Sequence, residues 1–141
     1  MSLEPPQDIS SHLAEVFAPL PKDAVIGVAV SGGSDSVALL LALRAAMPQA
    51  HLCAATVDHG LRAEAKEEAL WVNALCGKLG VAHTTLTISD LPKGPNLQAR
   101  ARSARYEALA AWGRDMACSC ICLGHSQTDV AANFLISLAR G

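Results

Sequence analysis

The sequence predicts a three-layer α/β fold, in which helices cover both faces of a parallel sheet. Strand-like and helix-like segments alternate along the chain, and this alternation is typical of βαβ units. The chain has 141 residues, of which 51% are hydrophobic and 4% aromatic, and this length suits a single hydrophobic core. We expect the strand order 3-2-1-4, because the first strand of such sheets usually flanks the point where the order reverses.

Four short apolar segments have the length and composition of buried strands. They are residues 24–30 (AVIGVAV), 51–57 (HLCAATV), 81–88 (VAHTTLTI) and 117–124 (ACSCICLG). Pro and Gly punctuate the loops between segments, as in residues 89–96 (SDLPKGPN), and such punctuation separates regular elements.

Five segments have a helical pattern of apolar residues. They are residues 8–18, 35–47, 63–80, 97–113 and 127–139. Gly80 ends the third of these segments, at a position where Gly commonly terminates helices. The last helix is expected to close the structure, and the chain is expected to end before a fifth strand. Trp71 and Trp112 fall on helices and are interpreted as packing residues rather than platforms for nucleic-acid bases.

Composition limits the class of protein. The formal net charge of −2 gives no indication of nucleic-acid binding by bulk charge. The apolar runs are too short to span a membrane, and the polar N-terminus does not resemble a signal peptide. The five cysteines show no disulfide-framework spacing, which favours a reducing, cytoplasmic compartment. Regular alternation would place Cys118, Cys120 and Cys122 on one strand face, as small buried hydrophobic residues.

The loop Ser31-Gly32-Gly33-Ser34-Asp35-Ser36 follows the first strand and opens a helix. Two glycines permit positive φ angles and close approach of a ligand to the backbone. Backbone N–H groups, serine hydroxyls and the positive end of a helix together suit a phosphate or pyrophosphate group. Asp35 would repel phosphate unless a cation intervened, so it indicates Mg²⁺ or a positively charged substrate nearby.

Three motifs resemble those of one enzyme family. SGGSDS resembles the PP-loop of the ATP pyrophosphatases, and VDHGLR (57–62) and NLQARARSARY (96–106) are similar to segments of the tRNA(Ile)-lysidine synthases. The resemblance implies a Rossmann-like fold of the adenine nucleotide α-hydrolase type. It also implies a reaction in which ATP adenylates the C2 oxygen of an anticodon cytidine of tRNA(Ile), and free lysine then displaces AMP. A leader and helix would occupy residues 1–20, and an ATP-binding domain, incomplete at its C-terminus, residues 21–141.

The resemblance also implies roles for residues in each of the three motifs. The 31–36 loop would hold the phosphates through backbone N–H groups and the Ser36 hydroxyl, with Asp35 facing Mg²⁺ or substrate. Val57, Asp58 and His59 would border the adenosine. Arg102 and Arg105 share a helical face and would stabilise developing negative charge, although a merely solvated pair is the alternative. Arg100 points elsewhere on the helix and is interpreted as solvated.

The segment 124–134 (GHSQTDVAANF) departs from the family pattern. His125 and Asp129 match it, whereas Thr128, Val130 and Ala132 stand where the family has Asp, Gln and Glu. Val and Ala cannot bind a cation or accept a hydrogen bond through their side chains, so we expect ATP binding with weakened or absent catalysis. The domains with which such enzymes grip tRNA would be missing, and the oligomeric state is not predicted. The alternatives are another PP-loop enzyme, of the tRNA-thiolation or amidotransferase-synthetase type, and a non-catalytic ATP-binding module.

Overall fold

The computed structural model describes residues 17–18, 23–31, 33–58, 60, 64–88, 94–123 and 134–137, and for residues 34, 35 and 134–137 the backbone alone. The strands are β1 (Val25–Ala29), β2 (His51–Asp58), β3 (Ala82–Thr87), β4 (Cys118–Leu123) and β5 (Phe134–Ser137), and the described helices are α1 (Ser34–Ala46), α2 (Glu64–Leu79) and α3 (Leu97–Asp115). The predicted bounds of β1–β4 and α1–α3 are confirmed to within two residues at each end. The helix predicted for residues 8–18 lies almost entirely outside the described residues.

The sheet has the order β3-β2-β1-β4-β5, in which β1 to β4 are parallel. The predicted order 3-2-1-4 is therefore confirmed. Strand β1 lies between β2 and β4, with Gly27 opposite Cys53 on one side and Ile121 on the other. The order reverses between β1 and β4, and ligands of such sheets bind beyond the carboxyl ends of the strands at that point.

The end of the chain differs from the prediction. A helix over residues 127–139 is wrong for residues 134–137, which form β5 and pair antiparallel with β4, Phe134 lying opposite Leu123. A fifth strand is thus present, contrary to the expectation that the chain ends before one. A short apolar run such as Phe-Leu-Ile fits either a helix or a strand, and only the exposed edge of β4 decides between them.

Two hydrophobic clusters occupy the two faces of the sheet. The first lies under α1 and α2, and we call it the α1–α2 cluster; it includes Ile26, Val28, Leu40, Leu43, Val72 and Cys76. The second lies under α3, and we call it the α3 cluster; it includes Cys53, Ala55, Leu109, Trp112, Ile121 and Leu123. Helices on both faces confirm the three-layer architecture.

Strand β1 and helix α3 approach each other closely at Gly27. A Cβ atom added at Gly27 would lie 2.9 Å from Trp112 Cζ3 and 3.0 Å from Cys118 Sγ. The missing side chain therefore makes room for the indole ring, which is only 5% exposed. The prediction of packing is confirmed for Trp112, whereas Trp71 on α2 is 54% exposed and is not a core residue.

Strand β4 contains a bulge at Ser119. Val25 pairs with Cys118 but the next residue, Ile26, pairs with Cys120, so one residue of β4 is left over. An extra residue reverses the alternation of side chains on either side of it. Cys118 consequently lies in the α3 cluster and Cys120 and Cys122 in the α1–α2 cluster, and the prediction that all three share a face is wrong.

The bulge brings two thiols together. The sulfur atoms of Cys53 and Cys118 are 3.5 Å apart in the α3 cluster. Their hydrogen bond raises the pKa of Cys53 and lowers that of Cys118. All five cysteines are buried as free thiols, which confirms the interpretation of Cys118, Cys120 and Cys122 as small core residues.

None of the helices that the structure describes combines the length and the apolar character needed to cross a membrane.

Candidate functional site

The glycine-rich loop begins where β1 ends, at the reversal of strand order. Val30 N–H still donates to Ala55 O at 2.9 Å, which extends the pairing of β1 with β2 by one residue. Ser31 follows and is exposed, and α1 begins at Ser34. The loop is therefore fixed at both ends, by a central strand and by a 13-residue helix.

Ser36 holds the loop together from inside the first turn of α1. The side chain of Ser36 is 5% exposed. Its hydroxyl donates to Gly33 O at 3.1 Å and accepts from Ser31 N–H at 3.0 Å. The two serine oxygens, Ser31 Oγ and Ser36 Oγ, are 3.1 Å apart, and Gly33 N–H donates to Ser31 Oγ at 3.3 Å.

Gly33 occupies the N-cap position of α1. Its φ of −74° and ψ of 159° are extended, so this residue does not use the positive φ that glycine permits. Because glycine has no side chain, no side-chain oxygen of the N-cap residue caps the helix. The first turn of a helix has N–H groups without intrahelical partners, and such groups can bind an anion.

Several predicted site residues cannot be placed. Gly32, His59, His125 and Asp129 lie outside the described residues, as do Thr128, Val130 and Ala132. Ser34 and Asp35 lie in the first turn of α1, and only their backbones are described. Among the side chains that the structure does describe, no three His, Cys, Asp or Glu residues come together as metal ligands.

Asp58 ends β2 at the same edge of the sheet as the loop. Its side chain is buried, and Oδ1 accepts a hydrogen bond from Gly60 N–H at 2.8 Å. Gly60 has a φ of +72°, a conformation that favours glycine. The Asp and Gly of the VDHGLR motif thus form a turn, while Val57 packs against the α3 cluster.

Arg102 and Arg105 are brought together by Tyr106. Their guanidinium carbons lie 5.4 and 5.3 Å from the centroid of the Tyr106 ring, within the range of cation–π attraction. Arg102 Nη2 also donates to Tyr106 Oη at 3.3 Å. Arg105 Nε is buried and has no hydrogen-bond partner among the described residues.

The ideal rise per residue of helices and strands indicates that the arginine pair lies near the level of the loop along the strand direction. Helix α3 ends two residues before β4 begins, so it runs antiparallel to the strands. Arg105 and Arg102 precede Trp112 by about 10 and 15 Å of helix. The distance along β1 from Gly27, which contacts Trp112, to Ser31 is about 13 Å. By this estimate, the arginine pair and the glycine-rich loop lie at the same edge of the sheet.

A chain of polar side chains that runs from the buried Thr56 through the half-buried His83 to the exposed Asn73 escaped the sequence analysis. Thr56, 3% exposed, lies 2.8 Å from His83 Nε2, and His83 Nδ1 lies 3.1 Å from Asn73 Oδ1. Because an amide oxygen can only accept, Nδ1–H donates to Asn73 and Nε2 accepts from Thr56. Burial lowers the pKa of His83. Neither His83 nor Asn73 belongs to a motif, so no sequence signal connects them.

The chain is similar in sequence to several proteins that are named tRNA(Ile)-lysidine synthase. It is 42% identical to the tRNA(Ile)-lysidine synthase of Zymomonas mobilis over 86% of this chain and 36% of the relative. The enzymes of the same name from Ruegeria pomeroyi and Novosphingobium aromaticivorans are 41% and 46% identical, over 95% and 81% of this chain and 32% and 34% of the relatives. The chain thus spans about a third of the length of these relatives.

Solved structures share the fold at low sequence identity. The U34-tRNA thiolase NcsA from Methanococcus maripaludis superposes with a TM-score of 0.71 at 16% identity, over 85% of this chain and 45% of that protein. The NH3-dependent NAD synthetase from Campylobacter jejuni gives 0.63 at 18% identity, over 88% and 56%. The family model of the PP-loop domain matches residues 5–141. With this match and the SGGSDS loop at the reversal of strand order, the chain belongs to the PP-loop domain family.

Proposed function

We propose that this chain is the ATP-binding part of a tRNA(Ile)-lysidine synthase. In the proposed reaction, ATP adenylates the anticodon cytidine of tRNA(Ile) and free lysine then displaces AMP. The observation that carries the proposal is the 41–46% identity, over 81–95% of this chain, to relatives that bear this name. The matched segment covers only 32–36% of those relatives, so the proposal covers only the part of the reaction that this domain performs.

The phosphates of ATP would bind at the start of α1. The uncapped first turn, with glycine at the N-cap, supplies N–H donors and the positive end of the helix dipole. The adenosine would lie towards the carboxyl end of β2, where Val57, Asp58 and His59 follow one another in the chain.

Arg102 and Arg105 would stabilise the negative charge that develops when pyrophosphate leaves. A guanidinium group suits this role because it stays charged and bonds phosphate oxygens in pairs. Tyr106 supports the proposal by holding both groups against one ring. Mg²⁺ would be held by Asp35, the second residue of α1, and would neutralise phosphate charge. His125 and Asp129 would face the loop from beyond β4.

The replacement of three polar family residues by Thr128, Val130 and Ala132 leads us to propose reduced catalysis in this chain. The loss of one aligned electrostatic group typically lowers a rate on the order of 10²–10³-fold. AMP formation from ATP, with lysine and tRNA(Ile), should therefore be slow for this chain. It should increase in the double variant Thr128→Asp plus Ala132→Glu. Equal rates for the two proteins would argue against this explanation.

ATP binding is the first test of the proposal, and two glycine variants form a matched pair. A Cβ at Gly33 would already be in van der Waals contact with Ser31 Oγ at 3.4 Å, so the two further methyl groups of a valine would have to fit beside the loop, whereas a Cβ at Gly77 meets nothing within 4 Å. We expect titration calorimetry to show at least a tenfold weaker affinity for ATP in Gly33→Val and no change in Gly77→Val. Unchanged ATP binding by Gly33→Val would remove the loop from the site.

A further inference from the structure

We propose that two copies of this chain associate through the outer face of α2, with the two helices packed antiparallel about a two-fold axis. The surface consists of Glu67, Trp71, Ala74 and Lys78, which we call the α2 stripe, and all four residues are exposed. The proposal goes beyond the proposed function and does not depend on it, because the stripe lies on the side of α2 that faces away from the sheet.

The large exposed hydrophobic side chains of the described residues are concentrated on α2. There are three of them, and two, Leu70 and Trp71, follow one another on this helix at 71% and 54% exposure. Hydrophobic residues that are exposed singly are ordinary, but tryptophan is enriched in protein interfaces and often anchors them. The outer face of α2 therefore has an aromatic anchor that the core of this chain does not use.

The four residues of the α2 stripe form one continuous face. They follow one another at intervals of four, three and four residues along α2. Since a helix turns about 100° per residue, their side chains fall within about 60° of one another. This spacing is the one with which a helix presents a straight seam to a second helix. The opposite side of α2 carries its buried residues, Ala69, Val72 and Cys76.

The two ends of the stripe carry opposite charges, and this pattern selects a second copy as the partner. Glu67 lies in the first turn of α2 and Lys78 in the last. Eleven residues of helix hold them about 16 Å apart, which is too far for an ion pair within one chain. Two antiparallel copies, centred between residues 72 and 73, bring each Glu67 opposite the Lys78 of the other copy. A parallel arrangement would instead place like charges together.

The same arrangement matches the shapes of the two central residues. Trp71 and Ala74 are equally distant from the centre between residues 72 and 73, so each indole ring would face the single methyl group of the other copy. A large residue opposite a small one lets two helices approach closely. The two-fold axis repeats every contact, as in other isologous interfaces, and the dipoles of the two helices run in opposite directions.

Sedimentation equilibrium of the full chain tests the association. One pair of helices buries less than the roughly 1,600 Å² of a standard interface, so we expect a weak, reversible dimer between about 1 μM and 1 mM chain. Trp71→Ala should weaken it at least tenfold, whereas Met116→Ala, which removes an exposed hydrophobic side chain outside α2, should change it less than twofold. A chain that stays monomeric throughout, or a dimer that a folded Trp71→Ala protein retains in full, would overturn the proposal.

Charge reversal tests the antiparallel arrangement. Glu67→Lys and Lys78→Glu should each weaken self-association about tenfold, because each replaces two attractive pairs by two repulsive ones. An equimolar mixture of the two variants should associate as tightly as the wild type, since both pairs are then attractive again. Lys66→Glu, the same charge change at an exposed position outside the stripe, should have less than a twofold effect. A mixture that associates no more tightly than either variant alone would refute the antiparallel α2 interface.

Discussion

The Gly27→Ala variant adds one methyl group at the centre of the sheet, where β1 passes under α3. The new carbon would lie 2.9 and 3.2 Å from two atoms of the Trp112 ring and 3.0 Å from Cys118 Sγ. Ordinary contacts of a Cβ atom begin near 3.4 Å. The ring or the strand must therefore move by several tenths of an ångström, and the indole is too deeply buried to move without disturbing Leu109 and Ile121.

The cost follows from two opposing terms. Overpacking of a core typically costs about 1–3 kcal/mol. Replacing glycine by alanine also restricts the unfolded chain, which returns about 0.4–1 kcal/mol. We expect a net loss of about 1–2 kcal/mol in the free energy of unfolding. For a chain of this size, that loss lowers the midpoint of thermal unfolding by roughly 3–8 °C.

Urea unfolding followed by circular dichroism measures this loss, and Gly77→Ala provides the matched control. Gly77 lies on the exposed side of α2, where an added Cβ meets nothing within 4 Å. The same chemical change should stabilise the chain there by about 0.5–1 kcal/mol, because alanine favours the helix. Opposite signs for the two variants would confirm that the close approach at Gly27 decides the result. A Gly27→Ala protein as stable as the wild type would refute the packing of Trp112 described above.

Two further predictions concern side chains near the candidate site. Tyr106→Leu should lower the free energy of unfolding by about 1 kcal/mol more than Tyr106→Phe in urea titrations, because only the leucine variant loses the ring that contacts both arginines; equal losses would contradict this. Burial lowers the pKa of His83 from its ordinary 6.5, so the unfolded chain binds a proton over a pH window in which the folded chain does not. The free energy of unfolding should therefore fall as the pH drops through 6.5 towards the lowered value, and His83→Gln should lose less between pH 7.5 and 5. An identical pH dependence for both proteins would contradict the partial burial of this imidazole.

Most of the fold follows from patterns that act over many residues. The apolar runs of β1–β4 and the helical periods of α1–α3 predict their bounds and the order of the parallel strands. The position of the loop at the reversal of strand order follows in the same way, because the loop directly follows β1. Such signals survive local irregularities, since each is carried by several side chains.

The features that the sequence did not predict each depend on one residue or on a distant contact. The bulge at Ser119 has no distinctive composition, yet it separates Cys118 from Cys120. The strand β5 forms where the edge of β4 offers hydrogen bonds, which lies outside any local pattern. Within the site, the motif predicts that Ser31 and Ser36 belong to one loop, but their hydrogen bonds to each other appear only in three dimensions.

The bulge in β4 makes the spacing of this strand more important than the identity of its extra residue. Any residue that tolerates a half-buried strand position could replace Ser119, whereas a deletion there would restore regular alternation. Either Cys118 would then lose its contact with Cys53, or the side chains of Ile121 and Leu123 would point to the face of the sheet opposite α3. The fold should accept exchanges at Ser119 and reject a change in chain length, so insertions and deletions in relatives should avoid the segment between Cys118 and Leu123.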